Sequence, residues 1–483
     1  MDEQMFNGRT LRLLSALGVV LVVLLLLSYH ELASETPYIT SALRHVPRPT
    51  KTPESAAENT PKTATISTTT SSTAPLTQPT TENVAEEATT TPDTTPTQTP
   101  AETQATASPT LDAGDPDLLK NATAYVKAIM DPDDSTFDRL ECPRSDSKRY
   151  DYLKLPSSSP SKPKYFFALD FKQKVALLPR LMGSIVETMR FLGPKYCVLS
   201  VVEGHSTDGS FEVLKVLQAE IEALGAAYHF QRSDIDPSKN GDRIGGLAEL
   251  RNLAIERLVD NPAAFAPNTT VIFLNDVAIC SEDILELVHQ KQNLGADMTC
   301  GFDWTYVGRD PTFYDVWVAR TIHGDSFFEI PPDGNWNSAW NLFWNAPDDQ
   351  AHLRKHEPFQ VFSCWNGAAV FSAKPLWDAG IRFRRSQEGE CFQGEPQLFC
   401  KDLWHAGYGK IAVVPAVNLE YDDEKGKMIK AAKGYTSQWV SEGGDDERVL
   451  EWLDPPEKVK CMASYENQEW RPWDETLPGV EAR

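Results

Sequence analysis

The 483-residue chain has few basic residues, and this shortage argues against one large class of partners. It contains 46 Lys and Arg against 69 Asp and Glu, a formal net charge of −23. Because surfaces that bind nucleic acids are generally basic, we expect no nucleic-acid partner. An acidic surface keeps a protein soluble and leaves the nature of the substrate open.

Two short motifs are also missing. The eight cysteines include no Cys-x-x-Cys pair, so the sequence does not support a zinc ribbon. The pair Gly245-Gly246 is not followed by Gly-Lys-Ser or Gly-Lys-Thr and is therefore not a P-loop. Cys197 and Cys300 lie in apolar, strand-like runs and are interpreted as buried thiols. Some of the other cysteines would form disulfides in an oxidising compartment, with their pairing left open.

A long apolar run extends from Leu13 to Tyr29. It has about the length needed to cross a bilayer, and Arg9 and Arg12 precede it. The positive-inside rule then predicts a cytosolic tail at residues 1–12, a transmembrane anchor at 13–29 and a lumenal remainder. We expect a single-pass type II protein of the Golgi or ER membrane. The alternative is a cleaved signal peptide, although its apolar core is usually shorter.

Residues 30–117 form a segment of different character, rich in Ser, Thr and Pro. Such a segment has too little apolar surface to offset the entropy of ordering it, so it predicts a disordered, O-glycosylated stalk. Residues 118–483 have the hydrophobic pattern of one large globular domain. The sequons at Asn121 and Asn268 are compatible with N-glycosylation in a lumen.

Strands and helices alternate along the first half of this domain. The pattern predicts strands at 165–169, 196–202, 227–231 and 271–274, with helices at 177–192, 211–224, 246–258 and 282–292. It continues with strands at 298–302, 359–364, 368–371 and 411–415 and a helix at 397–404, whereas 303–349 lacks periodicity. This order predicts an α/β fold with a Rossmann-type, mostly parallel sheet flanked by helices.

Acidic residues follow two of the predicted strands. Glu203 ends one strand, and Asp276 follows another. Open α/β sheets bind their ligands at the carboxyl ends of the strands, so both acids are candidate ligand contacts. We expect Glu203 or Asp208, with Ser206, to contact a nucleotide base or ribose. The alternative is a turn in which Ser206 or Asp208 caps the helix at 211–224.

The pair Asn275-Asp276 is the strongest candidate for a metal site. A diphosphate bound with Mg²⁺ or Mn²⁺ requires a hard oxygen ligand, which Asp276 offers. Alternatively, the pair caps the helix that begins near Ser281. Arg251 lies close to the apolar face of its helix, where its planar guanidinium could reach a diphosphate. The alternative for Arg251 is a surface arginine paired with a neighbouring glutamate, although the spacing is unsuitable for such a pair.

Aromatic residues downstream are candidates for the acceptor side. Their flat faces suit sugar rings, and they include Trp304, Tyr306, Trp317, Trp336, Trp340, Trp344 and Trp365. Asp303, Asp315, Asn366 and Glu395 could hydrogen-bond sugar hydroxyls, and Glu395 could act as a base or orient the acceptor. Each tryptophan taken singly could also belong to the core. His205 and His405 could complete a metal shell, although a lone histidine is more often structural.

Five motifs, taken in order, resemble the fungal capsule-associated family typified by cryptococcal α-1,3-mannosyltransferase. They are Ser200–Ser210, Leu250–Asn252, Phe273–Val277, Cys364–Gly367 and Cys400–Trp404. The resemblance covers roughly residues 160–430. It implies a GT-A fold, type II Golgi topology, a GDP-mannose donor, a divalent metal and retention of anomeric configuration.

The resemblance also implies roles for individual residues. Glu203 and Asp208 match the nucleotide-contacting motif, Arg251 the diphosphate-side arginine, and Asn275-Asp276 the metal motif. Where many GT-A enzymes have Asp-x-Asp, this chain has Asn-Asp followed by Val277, which leaves a second metal ligand unassigned.

The sequence therefore predicts a membrane-anchored glycosyltransferase that transfers mannose in α-1,3 linkage to a glycan acceptor of a cell wall, capsule or glycoconjugate. In a retaining front-face reaction the departing diphosphate takes the acceptor proton, so no dedicated base is needed. One alternative is the same fold with another donor, or with an assembly role and no transferase activity. Another is a surface adhesin with a carbohydrate-binding head, which explains the stalk and tryptophans but not the acid-ended strands beside Arg251.

Overall fold

The computed structural model describes residues 114–144, 148–156, 162–239, 241–440 and 450–479. The predicted cytosolic tail, the anchor at 13–29 and all but the end of the stalk lie outside these residues. Within the described ranges, each helix is too short or too polar to cross a bilayer.

Ten helices and twelve strands in the described ranges are labelled in chain order. The helices are α1 (Pro116–Met130), α2 (Leu178–Leu192), α3 (Ser210–Ala223), α4 (Arg243–Asp260), α5 (Ser281–Asn293), α6 (Pro347–Arg354), α7 (Lys374–Asp378), α8 (Glu395–His405), α9 (Asp423–Lys433) and α10 (Thr436–Trp439). The strands are β1 (Tyr165–Phe171), β2 (Cys197–Glu203), β3 (Ala227–Arg232), β4 (Thr270–Leu274), β5 (Met298–Val307), β6 (Asp310–Phe313), β7 (Arg320–Thr321), β8 (Phe359–Ser363), β9 (Ala368–Ser372), β10 (Ile411–Leu419), β11 (Lys458–Met462) and β12 (Gln468–Pro472).

A ten-stranded mixed sheet organises the domain. Its order is β3-β2-β1-β4-β9-β5-β10-β8-β7, with β6 paired to β5. The strands β3, β2, β1 and β4 are mutually parallel, as are β5 and β10. Strand β9 runs antiparallel to both β4 and β5, and β6, β7 and β8 also form antiparallel pairs. The predicted mostly parallel sheet with helices is therefore confirmed, with antiparallel strands in its second half.

The central strands are buried on both faces. Every residue of β2, β4 and β10 is buried, the pattern expected when helices cover a parallel sheet on both sides. Alternate residues of β1 enter two separate cores. Phe166 and Ala168 pack with α4, whereas Tyr165, Phe167 and Leu169 pack with α2, α3 and α5. With both faces covered, the carboxyl ends of the strands are the natural place for a cleft.

Both alternatives that assigned helix caps are wrong. The N-cap of α3 is Gly209, whose φ of 102° suits a residue without a Cβ atom. Asp208 instead accepts from the amide of Ser210 at 3.0 Å. The N-cap of α5 is Cys280, whose amide donates to Asp283 at 2.9 Å, so Asn275-Asp276 does not cap this helix.

Three disulfides join distant parts of the domain: Cys142–Cys280, Cys300–Cys364 and Cys391–Cys461. The interpretation of Cys300 as a free thiol was wrong, because Cys364 lies beside it. Cys197 is a buried free thiol as expected, and Cys400 is another. The asparagines of both sequons, Asn121 and Asn268, are exposed.

A buried acid in α6 makes a testable prediction about stability. Asp349 is 8% exposed, and its Oδ2 atom has no hydrogen-bond partner among the described residues. Burial raises the pKa of this carboxyl from 3.8 to about 6. As pH rises between these values, the unfolded chain loses its proton before the folded chain does, so the folded state loses stability. Asp349→Asn removes this penalty and should raise Tm by roughly 2–4 °C at neutral pH.

The gain should shrink as pH falls from 6 toward 4 and vanish below about pH 3, where the wild-type carboxyl is protonated in both states. Thermal unfolding of the wild type and the variant across pH measures this difference. The exposed neighbour Asp348 provides the matched control, and Asp348→Asn should show no such pH dependence. A gain in Tm that is the same at acidic and neutral pH would contradict the explanation.

Candidate active site

A cleft of about 820 Å³ includes residues from the carboxyl ends of β1, β2 and β4 in its walls. Its volume is in the range of typical small-molecule sites, roughly 300–1,000 Å³. Its charged lining residues are Lys172, Lys174, Arg243, Arg251, Asp170, Asp276, Asp315 and Glu395. Its aromatic lining residues are Phe171, Tyr314, Trp317, Trp365, Phe392 and Tyr421. The cleft therefore combines charged groups of both signs with flat apolar surfaces.

Asp276 lies in this cleft just beyond the end of β4. Its Oδ2 atom is 2.7 Å from Nζ of Lys174, and both side chains are partly exposed. Asn275 is more constrained, because its side-chain Oδ1 atom accepts from Nε1 of Trp365 at 3.0 Å and its backbone N–H donates to the carbonyl of Gly367 at 2.9 Å. Asn275 thus holds the turn in place, while the carboxylate of Asp276 faces the cleft.

Arg251 is buried in the cleft wall on α4. Its Nε atom donates to Oε1 of Glu395 at 2.8 Å, and its guanidinium lies 4.4 Å from the ring centroid of Trp365. The alternative of a surface arginine paired with a neighbour on its own helix is wrong. Burial by itself would lower the pKa of Arg251, but the carboxylates of Asp170 and Glu395 raise it above its ordinary value. The guanidinium is therefore fixed in place with its charge retained.

Two further acids line the cleft, and burial raises the pKa of each to about 6. One is Asp315, which the sequence had suggested, and its Oδ2 atom accepts from the amide of Asn366 at 3.0 Å. The other is Asp170, near the end of β1, which the sequence analysis missed. Asp170 carries the same signal as Glu203, an acid at the carboxyl end of a strand, and β1 lies directly between β2 and β4.

The predicted nucleotide-contacting residues lie behind the cleft. Glu203 is fully buried, and its Oε1 atom accepts from the amide of Ser206 at 2.6 Å. The hydroxyl of Ser206 accepts from the amide of Gln173 at 2.8 Å, and Asp208 accepts from the amide of Val175 at 2.9 Å. These contacts order the loop after β1, which brings Lys172 and Lys174 to the cleft. Direct contact of Glu203, Ser206 or Asp208 with a nucleotide stays a prediction.

The predicted acceptor residues separate into two groups. Trp365, Asp315 and Glu395 line the cleft, whereas Trp304, Asn366 and Asp303 do not. Trp304 is buried, and its Nε1 atom donates to Asn418 at 2.8 Å. Asn366 is fully buried and donates to the carbonyl of Gly301 at 2.8 Å. Both are structural contacts of the sheet.

Asp303 lies behind the cleft wall. Tyr421 lines the cleft and donates to Oδ2 of Asp303 at 2.7 Å, so it connects the buried acid to the site. Burial, with the nearby charge of Asp315, raises the pKa of Asp303 well above its usual range. Lys174, Phe392 and Tyr421 were all missed from the sequence, since their positions depend on loops that have no periodic pattern.

The predicted histidine ligands are not gathered around Asp276. His205 contacts Asp234 at 2.8 Å, and His405 is exposed on α8. Across the ranges that the structure describes, three or more His, Cys, Asp or Glu side chains are nowhere arranged to hold a metal ion. A metal in this cleft would therefore depend on one or two carboxylates together with its substrate.

Comparison with known proteins gives one family match. A family model described as cryptococcal mannosyltransferase 1 matches residues 164–402. The α-1,3-mannosyltransferase CMT1 of Cryptococcus neoformans var. neoformans serotype D (strain JEC21 / ATCC MYA-565) is 36% identical over an alignment of 334 residues. The match covers 65% of this chain and 70% of the relative.

Two solved structures show more distant similarity. The mannosyltransferase PcManGT from Pyrobaculum calidifontis, in complex with GDP-Man and Mn²⁺, has a TM-score of 0.33 and 12% identity over 65% of this chain and 70% of that chain. TarS residues 1–349 from S. aureus, in complex with UDP, has a TM-score of 0.32 and 15% identity over 53% of this chain and 60% of that chain.

Proposed function

The chain belongs to the cryptococcal mannosyltransferase 1 family and is a glycosyltransferase, and from this premise we propose that it transfers mannose from GDP-mannose to a glycan acceptor. The proposed linkage is α-1,3 with retention of configuration, in a GT-A fold. Residues 13–29 would anchor the enzyme in the Golgi or ER membrane with the catalytic domain in the lumen. An adhesin role is not proposed, since the chain is an enzyme.

The observation that best supports the proposal is the position of Arg251 in the same cleft as Asp276. A nucleoside diphosphate is a leaving group that needs cationic stabilisation as its bond to the sugar breaks. Arg251 is held by Glu395 through its Nε atom, and the structure gives its Nη2 atom no hydrogen bond with a described residue. A guanidinium fixed in this way suits a diphosphate, because its orientation is set before the substrate arrives.

The cleft also fits a divalent cation. Asp276 and Asp170 are hard oxygen donors at the carboxyl ends of neighbouring strands, and Mg²⁺ or Mn²⁺ needs only one or two carboxylates when phosphate oxygens complete its shell. Nζ of Lys174 is 2.7 Å from Oδ2 of Asp276, so a metal ion bound by this carboxylate would have to displace the ammonium group. We assign Asp276 as the principal ligand and Asp170 as the second one that the sequence left open. When bound, the cation would neutralise charge on the leaving diphosphate.

Glu395 is better suited to positioning Arg251 than to acting as a base. Its Oε1 atom is occupied by Nε of Arg251, and the side chain is 2% exposed. In the front-face reaction the bond between the acceptor oxygen and the anomeric carbon forms as the bond to the diphosphate breaks. The acceptor proton then passes to a phosphate oxygen of the leaving GDP, and no carboxylate base takes part.

A donor screen tests the proposal. The full chain, purified in detergent, is mixed with GDP-mannose, GDP-fucose, UDP-glucose or UDP-xylose, with an α-mannobiose acceptor and with Mn²⁺ or a chelator. We expect transfer and nucleotide release from GDP-mannose alone, with loss of both when the cation is removed. Faster transfer from any other donor would overturn the donor assignment, and full activity with the chelator would overturn the metal assignment.

A further inference from the structure

Part of the cleft wall comes from a hairpin that lies beyond the family match. Strands β11 and β12 form a separate two-stranded antiparallel sheet, and Met462 and Ala463 of this hairpin line the cleft. The family match ends at residue 402, whereas the hairpin begins at Lys458. The part of the wall formed by Met462 and Ala463 therefore lies outside the region that the family model covers.

The hairpin is fixed to the catalytic domain by covalent and polar contacts. The disulfide Cys391–Cys461 joins it to the segment that leads into α8. The amide of Lys460 donates to the carbonyl of Gly324 at 2.8 Å, and Nε of Arg320 donates to the carbonyl of Lys460 at 2.8 Å. Because the backbone N–H and the backbone carbonyl of Lys460 are both hydrogen-bonded to the catalytic domain, the hairpin is held in one position at this residue.

Two aromatic side chains remain exposed where this wall meets the cleft. Trp317 is 39% exposed, and its ring stacks on that of Tyr465 of the hairpin, with centroids 4.8 Å apart. Phe392 follows the disulfide-bonded Cys391 and is 57% exposed. Both line the cleft, as does Trp365, but Trp365 is only 1% exposed and is already covered by the core. Flat apolar faces left open to a polar cleft suit the apolar face of a sugar ring, and the ring of Trp317 is also supported by Tyr465.

A carboxyl group lines the same cleft as these rings. Asp315 precedes Trp317 by two residues and lines the same cleft. Its Oδ2 atom accepts from the amide of Asn366, whereas the structure gives its Oδ1 atom no hydrogen bond with a described residue. A sugar hydroxyl can donate to this oxygen while the ring lies on an aromatic face. This combination distinguishes a sugar from a purely apolar ligand.

We propose that Trp317, Phe392 and Asp315 form the acceptor subsite for a pyranose ring, and that the hairpin held by Cys391–Cys461 fixes its geometry. The subsite rests on the proposed transferase function, because an acceptor sugar must enter the cleft that holds the donor. On this assignment the two aromatic rings contact the acceptor sugar, whereas Arg251 and Asp276 hold the donor in the same cleft. Loss of the subsite should therefore weaken acceptor binding and leave nucleotide binding unchanged.

The test measures saccharide binding without relying on turnover. Saturation-transfer NMR with α-1,3-mannobiose is recorded on the full chain in detergent, in the presence of GDP and Mn²⁺. Trp317→Ala and Phe392→Ala should each weaken mannobiose binding about tenfold, because each removes an apolar face that the sugar covers. Trp317→Phe should restore most of the binding. The control is Trp340→Ala, since Trp340 is 81% exposed and does not line the cleft.

GDP binding is measured on the same samples by calorimetry, which separates the two proposals. Unchanged mannobiose binding in both alanine variants, or no binding by the wild type, would overturn the subsite. Equal weakening in the Trp340→Ala control would also overturn it. Mannobiose binding that depends on Trp317 in a protein that does not bind GDP would support the subsite and refute the proposed donor.

Discussion

Asp276→Asn is expected to lower kcat/KM for transfer from GDP-mannose at least about 100-fold, with Tm unchanged. The side chain of Asp276 is partly exposed, and its ion pair is with the similarly exposed Lys174, so the fold does not depend on it. Its carboxylate is nevertheless the principal metal ligand in the proposed site. The amide of Asn can replace its volume but not its charge.

Initial rates at several Mn²⁺ concentrations provide the measurement. The variant should need more Mn²⁺ for half-maximal activity, and its GDP affinity should become insensitive to Mn²⁺. The matched control is Asp234→Asn, because this exposed acid also contacts one side chain, Nε2 of His205 at 2.8 Å, but lies outside the cleft. Retained transfer in a folded Asp276→Asn protein would refute the metal assignment.

Arg251→Ala is expected to lower kcat/KM about 1,000-fold and to reduce the free energy of unfolding by about 3 kcal/mol. The first effect arises because the cation that faces the diphosphate is lost. The second arises because Glu395 would remain buried without its partner. Steady-state kinetics and urea unfolding measure the two effects separately.

Glu395→Gln separates positioning from base catalysis. If Glu395 holds Arg251, a neutral amide should cost only about tenfold in kcat/KM and leave the pH profile of kcat unchanged. The double variant Arg251→Ala/Glu395→Gln should recover part of the lost stability, because no unpaired charge stays buried. A loss near 1,000-fold in Glu395→Gln, together with a missing acidic limb in the pH profile, would instead identify Glu395 as a base.

The sequence predicted the strands and helices that build the site, because their apolar patterns are local. Asp276 was found because it follows a predicted strand, and Arg251 because it lies on a predicted helix. Both line the cleft. Asp170 was missed although it directly follows the strand predicted at 165–169, and in the structure this strand continues to Phe171. Its role becomes visible only when β1 is placed beside β4 in the sheet.

Other parts of the site depend on tertiary partners that a single sequence does not reveal. Glu203 is the last residue of its strand, and Asp276 lies two residues beyond the end of its own strand. The side chain of Glu203 is nevertheless buried, where it accepts from the backbone amide of Ser206. Trp304 and Trp317 are equally aromatic in the sequence, yet one packs in the core and the other faces the cleft. Nε1 of Trp304 donates to Asn418 on β10, whereas Trp317 stacks on Tyr465 in the hairpin at residues 458–472, which no periodic pattern predicted.

The disulfide between Cys391 and Cys461 also determines what proteolysis does to this enzyme. The two cysteines are 70 residues apart in sequence, and the bond connects the fragments on either side of any single backbone cut between them. A nicked molecule would therefore keep its hairpin until the bond is reduced. Intact and nicked chains would migrate alike under non-reducing conditions, and thiol treatment would release the carboxyl-terminal piece together with one wall of the cleft.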